Sequence, residues 1–273
     1  MSNNFKISIS VDCVSADFET AILLGLEWGL EYFELKRLFG RRIPNISKDE
    51  VDYIKKILNK YVVKISSISP GLFKNEIGAD ISKEEIENKL QETIKIANQL
   101  GTKNIVLFGF AKEKKMKVEE AVEKISNIYG EIINNVEKED IKIFIENERG
   151  TWLNSYEVLL KVIKNVNSNH LMINWDPCNL IGETKEKPFP DIYNKIKSYV
   201  GHMHLKDGKV IENKFTNIMM GKGEVDWIGQ FSALRKNNYK GFCVLEPHFG
   251  DRVESSRQHI FETRKLIRIS NKD

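Results

Sequence analysis

The chain has only three cysteines, Cys13, Cys178 and Cys243, and they are odd in number, far apart and outside any CxxC pair. That excludes a disulfide framework and a thiolate zinc site, and it makes a reducing cytoplasm the expected setting. Long apolar runs are missing too. The most apolar early stretch, Ala21–Leu30, is interrupted by Glu27 and is roughly half the length a membrane span needs. The opening Met1–Lys6 leads into a short β-like run, not a basic segment followed by an apolar one, so no secretory signal is expected. Excess charge of one sign is also absent: 42 Lys and Arg stand against 39 Asp and Glu, a formal net charge of +3 over 273 residues. A nucleic-acid binder concentrates more basic charge, and a disordered chain carries fewer apolar residues than the 41 % found here.

What is present is alternation. Strand-length, β-branched runs begin near Lys6, Tyr32, Val62, Lys103, Lys142, Leu171, Gly201 and Phe242. Between them lie charged, periodic segments that read as helices: Asp17–Trp28, Ser47–Lys60, Ser82–Leu100, Val118–Glu139, Ser155–Val166, Asp191–Val200, Asp226–Asn237 and Glu254–Arg268. Ser47 and Ser82 are each followed three residues on by a glutamate, the capping-box pattern, and Leu100-Gly101 reads as a helix stop. Eight βα units predict a single-domain (β/α)8 TIM barrel over residues 1–273. An open doubly wound sheet is the weaker alternative, because no run feeds a GxGxxG or GxxxxGK[ST] loop at the first βα turn. Gly221-Lys222-Gly223, with no obvious strand before it, reads as a turn feeding the helix from Asp226.

Barrel enzymes work at the C-terminal ends of their strands. The fifth run ends at Glu146, the sixth at Asp176, the seventh contains His204 and the eighth ends at Glu246. Each of these alone has an ordinary explanation as a helix N-cap, a loop salt bridge or a hydrogen-bonded histidine. Together they are three clustered carboxylates that repel unless a cation neutralises them. Three oxygen donors and one nitrogen donor, with no thiolate, predict one divalent metal ion: Mn²⁺ first, with Mg²⁺, Co²⁺ or Zn²⁺ compatible. His202 and Asn174 each lie two residues before a proposed ligand, so they share its face and are expected to orient ligands or substrate. For Asn174 a buried, satisfied amide is the equal alternative.

At these positions the sequence resembles the xylose isomerase-like barrel superfamily, in particular the sugar phosphate isomerase/epimerase group that includes the ketose 3-epimerases. The resemblance spans essentially the whole chain. It is carried by Ile145-Glu146-Asn147-Glu148, Trp175-Asp176-Pro177-Cys178-Asn179, His202-Met203-His204-Leu205-Lys206-Asp207, Met220–Trp227 and Leu245-Glu246-Pro247. It implies metal ligands at Glu146, Asp176, His204 and Glu246, the set reached from the strand ends. One departure stands out: the epimerases commonly read DxxH after the sixth strand, and here the position of that histidine is Asn179. Endonuclease IV-like members of the superfamily need several further histidines, some in early strands, whereas this chain has none before His170.

The resemblance implies isomerisation or epimerisation of a sugar, a sugar phosphate or a related hydroxyketone through an enediolate. Glu146 and Glu246 would exchange the proton, and His202, Asn179, Lys206 and Arg149 would hold substrate. Solvated salt-bridging is an equal alternative for Lys206 and Arg149. The rivals are a metal-dependent dehydratase, a metal-dependent hydrolase and a non-catalytic binding protein. The expected partner is a small-molecule carbohydrate, with no nucleic acid or membrane, and a homo-oligomer is compatible with the pattern. Lys36, Arg37, Arg41, Arg42 and Lys74 raise the expectation of an anionic substrate, with solvated surface charge as its alternative.

Overall fold

The computed structural model describes residues 5–78 and 83–271. Its sheet is a closed parallel barrel of β1 (Lys6–Ser10), β2 (Tyr32–Leu35), β3 (Lys64–Ile68), β4 (Asn104–Leu107), β5 (Lys142–Glu146), β6 (Leu171–Trp175), β7 (Val200–Leu205) and β8 (Phe242–Leu245). Neighbours in the barrel are neighbours in sequence, and β8 closes onto β1 with Ile9 opposite Leu245. The helices α1 (Phe18–Glu27), α2 (Lys48–Tyr61), α3 (Gln91–Leu100), α4 (Val118–Val136), α5 (Tyr156–Val166), α6 (Tyr193–Ile196), α7 (Trp227–Lys236) and α8 (Arg252–Ser270) follow the strands in turn. Among the described residues, no helix is long and apolar enough to cross a membrane.

Local chemistry sets the helix ends. Ser47 accepts the Glu50 N–H at 3.2 Å while the Glu50 carboxylate accepts the Ser47 N–H at 2.6 Å, which completes the capping box. Gly101 ends α3 at φ 73°, a left-handed conformation that favours glycine. The other expected cap, Ser82, lies outside the described residues. Glu85 accepts the Phe73 N–H at 3.0 Å, and burial raises its carboxyl above the usual range.

Internal contacts group the chain into two units, one of residues up to Phe33 together with Trp175 onward, the other of Glu34–Asn174; both divisions fall inside barrel strands, β2 and β6. In the first unit, fully buried Trp175 donates its indole N–H to Gln230 at 3.0 Å, and Trp227 stacks on Phe231 with ring centroids 5.5 Å apart. Gly25 of α1 lies against Phe33 so closely that a methyl group there would fall 2.4 Å from the ring. In the second unit, Phe73, Phe110 and Tyr129 pack together, and the Tyr129 hydroxyl donates to the Phe108 carbonyl at 2.6 Å. Ile105, Val106 and Leu107 of β4 are all fully buried, as expected of a parallel strand covered on both faces.

The structure corrects three expectations. Val62 does not begin a strand; it caps α2 in the left-handed region at φ 56° and is 83 % exposed, and β3 starts at Lys64. The segment read as one helix over Asp191–Val200 is a succession of short helical pieces, Pro188–Ile192, α6 and Lys197–Tyr199, and Val200 already begins β7. The Gly221-Lys222-Gly223 turn does follow a strand: Asp207–Ile211 pairs antiparallel with Lys214–Ile218 in a hairpin beyond β7.

Candidate metal centre

The expected ligands sit where the strand endings put them. Glu146 closes β5 and lies in register with Asn174 of β6. The Asn174 amide donates to Glu146 Oε2 at 3.3 Å, the orienting contact anticipated for that residue. Asp176 follows β6 and also caps the turn Pro177–Leu180, where its Oδ1 accepts the Cys178 N–H at 3.0 Å. His204 lies in β7 with its Nδ1 3.4 Å from Glu246 Oε1. Glu246 follows β8 and donates its backbone N–H to the Leu205 carbonyl at 2.9 Å. All four side chains are buried. Within the first unit, Asp176, His204 and Glu246 each offer one ligand atom, and these atoms lie within 4.8 Å of one another.

The secondary residues divide. His202 is fully buried, with its ring centroid 5.8 Å from that of His204. Lys206 is an ion-pair partner of the centre itself, its Nζ 2.7 Å from Asp176 Oδ2. Asn179 is buried in the turn after Asp176, and its backbone N–H donates to the Asp176 carbonyl at 3.3 Å. Arg149 is half-buried in the turn after β5. The basic residues considered for an anionic substrate have internal partners: Lys36 pairs with Glu34 at 3.4 Å, Arg41 with Glu50, and Lys74 with Glu148 at 3.1 Å.

Sequence reasoning assigned no role to three further polar side chains, Glu34, His248 and Asp207. Glu34 is fully buried in β2 and accepts the Ser67 hydroxyl at 2.8 Å. Its only sequence signal was a charged residue inside an otherwise apolar strand. His248 stands half-exposed with Nε2 3.6 Å from Glu246 Oε2. Asp207 anchors the glycine-rich turn, its carboxylate accepting N–H groups of Gly208, Gly221, Gly223 and Val225 at 2.8–3.4 Å. The glycines thus cradle an anion belonging to the protein itself. Burial pushes the Asp207 carboxyl up to about 6, with the backbone donors pulling the other way.

His259 of α8 supports the end of β7 by donating Nε2–H to the Leu205 carbonyl at 3.2 Å. Burial lowers its imidazole from 6.5 to about 4, against the raising effect of that hydrogen bond. Below pH 6.5 the unfolded chain binds this proton and the folded chain does not, so stability falls as pH drops from about 6.5 to about 4. We expect that loss to be on the order of 3 kcal/mol. His259→Gln keeps a donor without a titrating ring. Denaturant unfolding at both pH values is expected to show a wild-type advantage that shrinks on acidification; an advantage independent of pH would refute this account.

The model of one protein family, described as xylose isomerase-like TIM barrel, matches residues 24–266. The chain belongs to that family. Within the chain, a 98-residue stretch is 30 % identical to D-psicose 3-epimerase of Enterocloster bolteae, covering 36 % of this chain and 30 % of that curated relative. The structure of IOLI protein with a binding zinc atom superposes at TM-score 0.81 with 16 % identity, covering 98 % of this chain and 99 % of that one. A probable 3-DHS dehydratase from Bacillus anthracis superposes at TM-score 0.77 with 19 % identity, over 94 % and 98 % of the two chains. At such identities the two structures establish a shared fold alone.

Proposed function

We propose that this member of the family is a divalent-metal-dependent isomerase or epimerase of a sugar, a sugar phosphate or a related hydroxyketone. The observation that carries the reading is the buried group of Asp176, His204 and Glu246 with ligand atoms within 4.8 Å of one another, to which the resemblance adds Glu146 as the fourth ligand. The donor set fits a divalent ion, because the two buried carboxylates Asp176 and Glu246 repel at this range and the group contains no thiolate to favour a soft metal. When bound, the ion supplies positive charge that stabilises the oxyanion developing on a substrate carbonyl.

The chain's own residues do the rest. Glu146 and Glu246 take and return the proton on the carbon beside the carbonyl, each keeping an oxygen with which to accept it. The Asn174 amide fixes the rotation of Glu146. His202, Lys206 and Arg149 hold substrate oxygens. Asn179, standing where the ketose 3-epimerases resembled here carry histidine, hydrogen-bonds a hydroxyl but takes no proton, which leaves proton transfer to the two glutamates. We further propose that the whole chain forms one domain, and the partial match to the curated epimerase supports the sugar-type substrate.

The test is a screen of Mn²⁺-supplied protein against ketoses, ketose phosphates and sugar acids in deuterated water, read by NMR. An isomer or epimer carrying deuterium beside the carbonyl is the expected product. A dehydrated product would replace this reading with the lyase alternative, and turnover that is identical after chelation would remove the metal from it.

A further inference from the structure

We propose that Lys206 is a resident counter-cation of the metal centre and is displaced from Asp176 when a divalent ion binds. This inference rests on the metal reading above. The Lys206 side chain is 9 % exposed and that of Asp176 fully buried, with Nζ 2.7 Å from Oδ2. The other carboxylate oxygen, Oδ1, accepts the Cys178 N–H at 3.0 Å, so the carboxylate is held in one rotation with Oδ2 aimed at the ammonium. A buried carboxylate costs much free energy unless a cation compensates it, and before an ion arrives Lys206 is that cation.

The ion and the ammonium compete for one oxygen. A divalent ion bound through Asp176 Oδ2 would bring two positive charges within a few ångströms of each other in a low-dielectric pocket, where repulsion is strong. The ammonium therefore yields. Lysine suits such an exchange, being a compact charge on a flexible four-carbon stem; an arginine fork would hold the carboxylate bidentately. The consequence is ordered loading. Lys206 becomes available to an electron-rich substrate oxygen only after the ion has taken its place on Asp176.

Wild type and Lys206→Met, which keeps the apolar stem and loses the charge, are titrated with Mn²⁺ by calorimetry, and the wild-type structure is determined with Mn²⁺ bound. The variant is expected to bind Mn²⁺ at least about tenfold tighter, because its competitor is gone. In the loaded wild type, Asp176 Oδ2 is expected on the ion and Lys206 Nζ beyond hydrogen-bond distance from it. Equal or weaker Mn²⁺ affinity in the variant overturns the exchange, as does a loaded structure with the ion pair intact. Should Lys206→Met fail to fold, Lys206→Gln carries the same expectation, and the loaded wild-type structure needs no variant. If neither protein binds Mn²⁺, the metal reading itself falls and takes the exchange with it. One Mn²⁺ per wild-type chain with the Lys206 results negative leaves the metal reading standing and removes only the exchange.

Discussion

Glu246→Gln is expected to lower turnover at least about 100-fold while Mn²⁺ still binds, with weakened affinity. The two oxygens of Glu246 face different partners: Oε1 lies 3.4 Å from His204 Nδ1, inside the ligand group, and Oε2 lies 3.6 Å from half-exposed His248. In the proposed reading Oε1 ligates the ion and Oε2 receives the proton. Glutamine keeps an oxygen donor and nearly the same shape, and it removes the proton acceptor. Glu146→Gln is expected to behave similarly, since it too removes a proton acceptor and keeps an oxygen donor, and the Asn174 amide that donates to Glu146 Oε2 holds the side chain in place. Steady-state kinetics at saturating Mn²⁺, with bound metal measured in the same samples, separate loss of base from loss of metal. A metal-loaded Glu246→Gln turning over at the wild-type rate would reduce Glu246 to a ligand and remove this division of labour.

The second large effect is on stability. An ion that binds only the folded chain, present at about 100 times its dissociation constant, adds about 2.7 kcal/mol, which for a chain of this size raises the melting temperature by roughly 5–10 °C. Chelation reverses the shift. The gain arises because Asp176 and Glu246 are buried together and repel without a divalent charge between them. Asp176→Asn retains Oδ1 as the acceptor for the Cys178 N–H, so the turn after β6 survives while a ligand charge is lost. In that variant the Mn²⁺-dependent shift is expected to fall below half of the wild-type value. Identical melting of wild type in Mn²⁺ and in chelator contradicts it.

The barrel was legible because each strand announces itself twice, by a β-branched run and by the amphipathic helix that follows. The buried carboxylates at the strand ends were legible for a related reason: in a parallel barrel the last residue of a strand is also the first of the face where barrel enzymes work, so Glu146, Asp176 and Glu246 were met by reading where runs stop. The hairpin Asp207–Ile211 and Lys214–Ile218 was not legible. Its turn residues Glu212 and Asn213 both have positive φ, at 49° and 61°, a geometry that usually advertises itself by Asn-Gly or Asp-Gly. The hairpin also has no continuous buried face to give it a period. Val62 misled because a β-branched residue in the left-handed region contradicts its own propensity. The Lys206–Asp176 pair joins positions 30 residues apart, and no local pattern encodes it. The Asp207 cradle is of the same kind, since its donors lie on a turn more than a dozen residues downstream.

The most direct measurement on the central claim is a crystal structure determined with Mn²⁺ present, using anomalous scattering to locate the ion. The account predicts one Mn²⁺ per chain, with an atom from each of Glu146, Asp176, His204 and Glu246 at roughly 2.0–2.3 Å. An anomalous peak elsewhere, or two or more of these four side chains turned away from the ion, would contradict it.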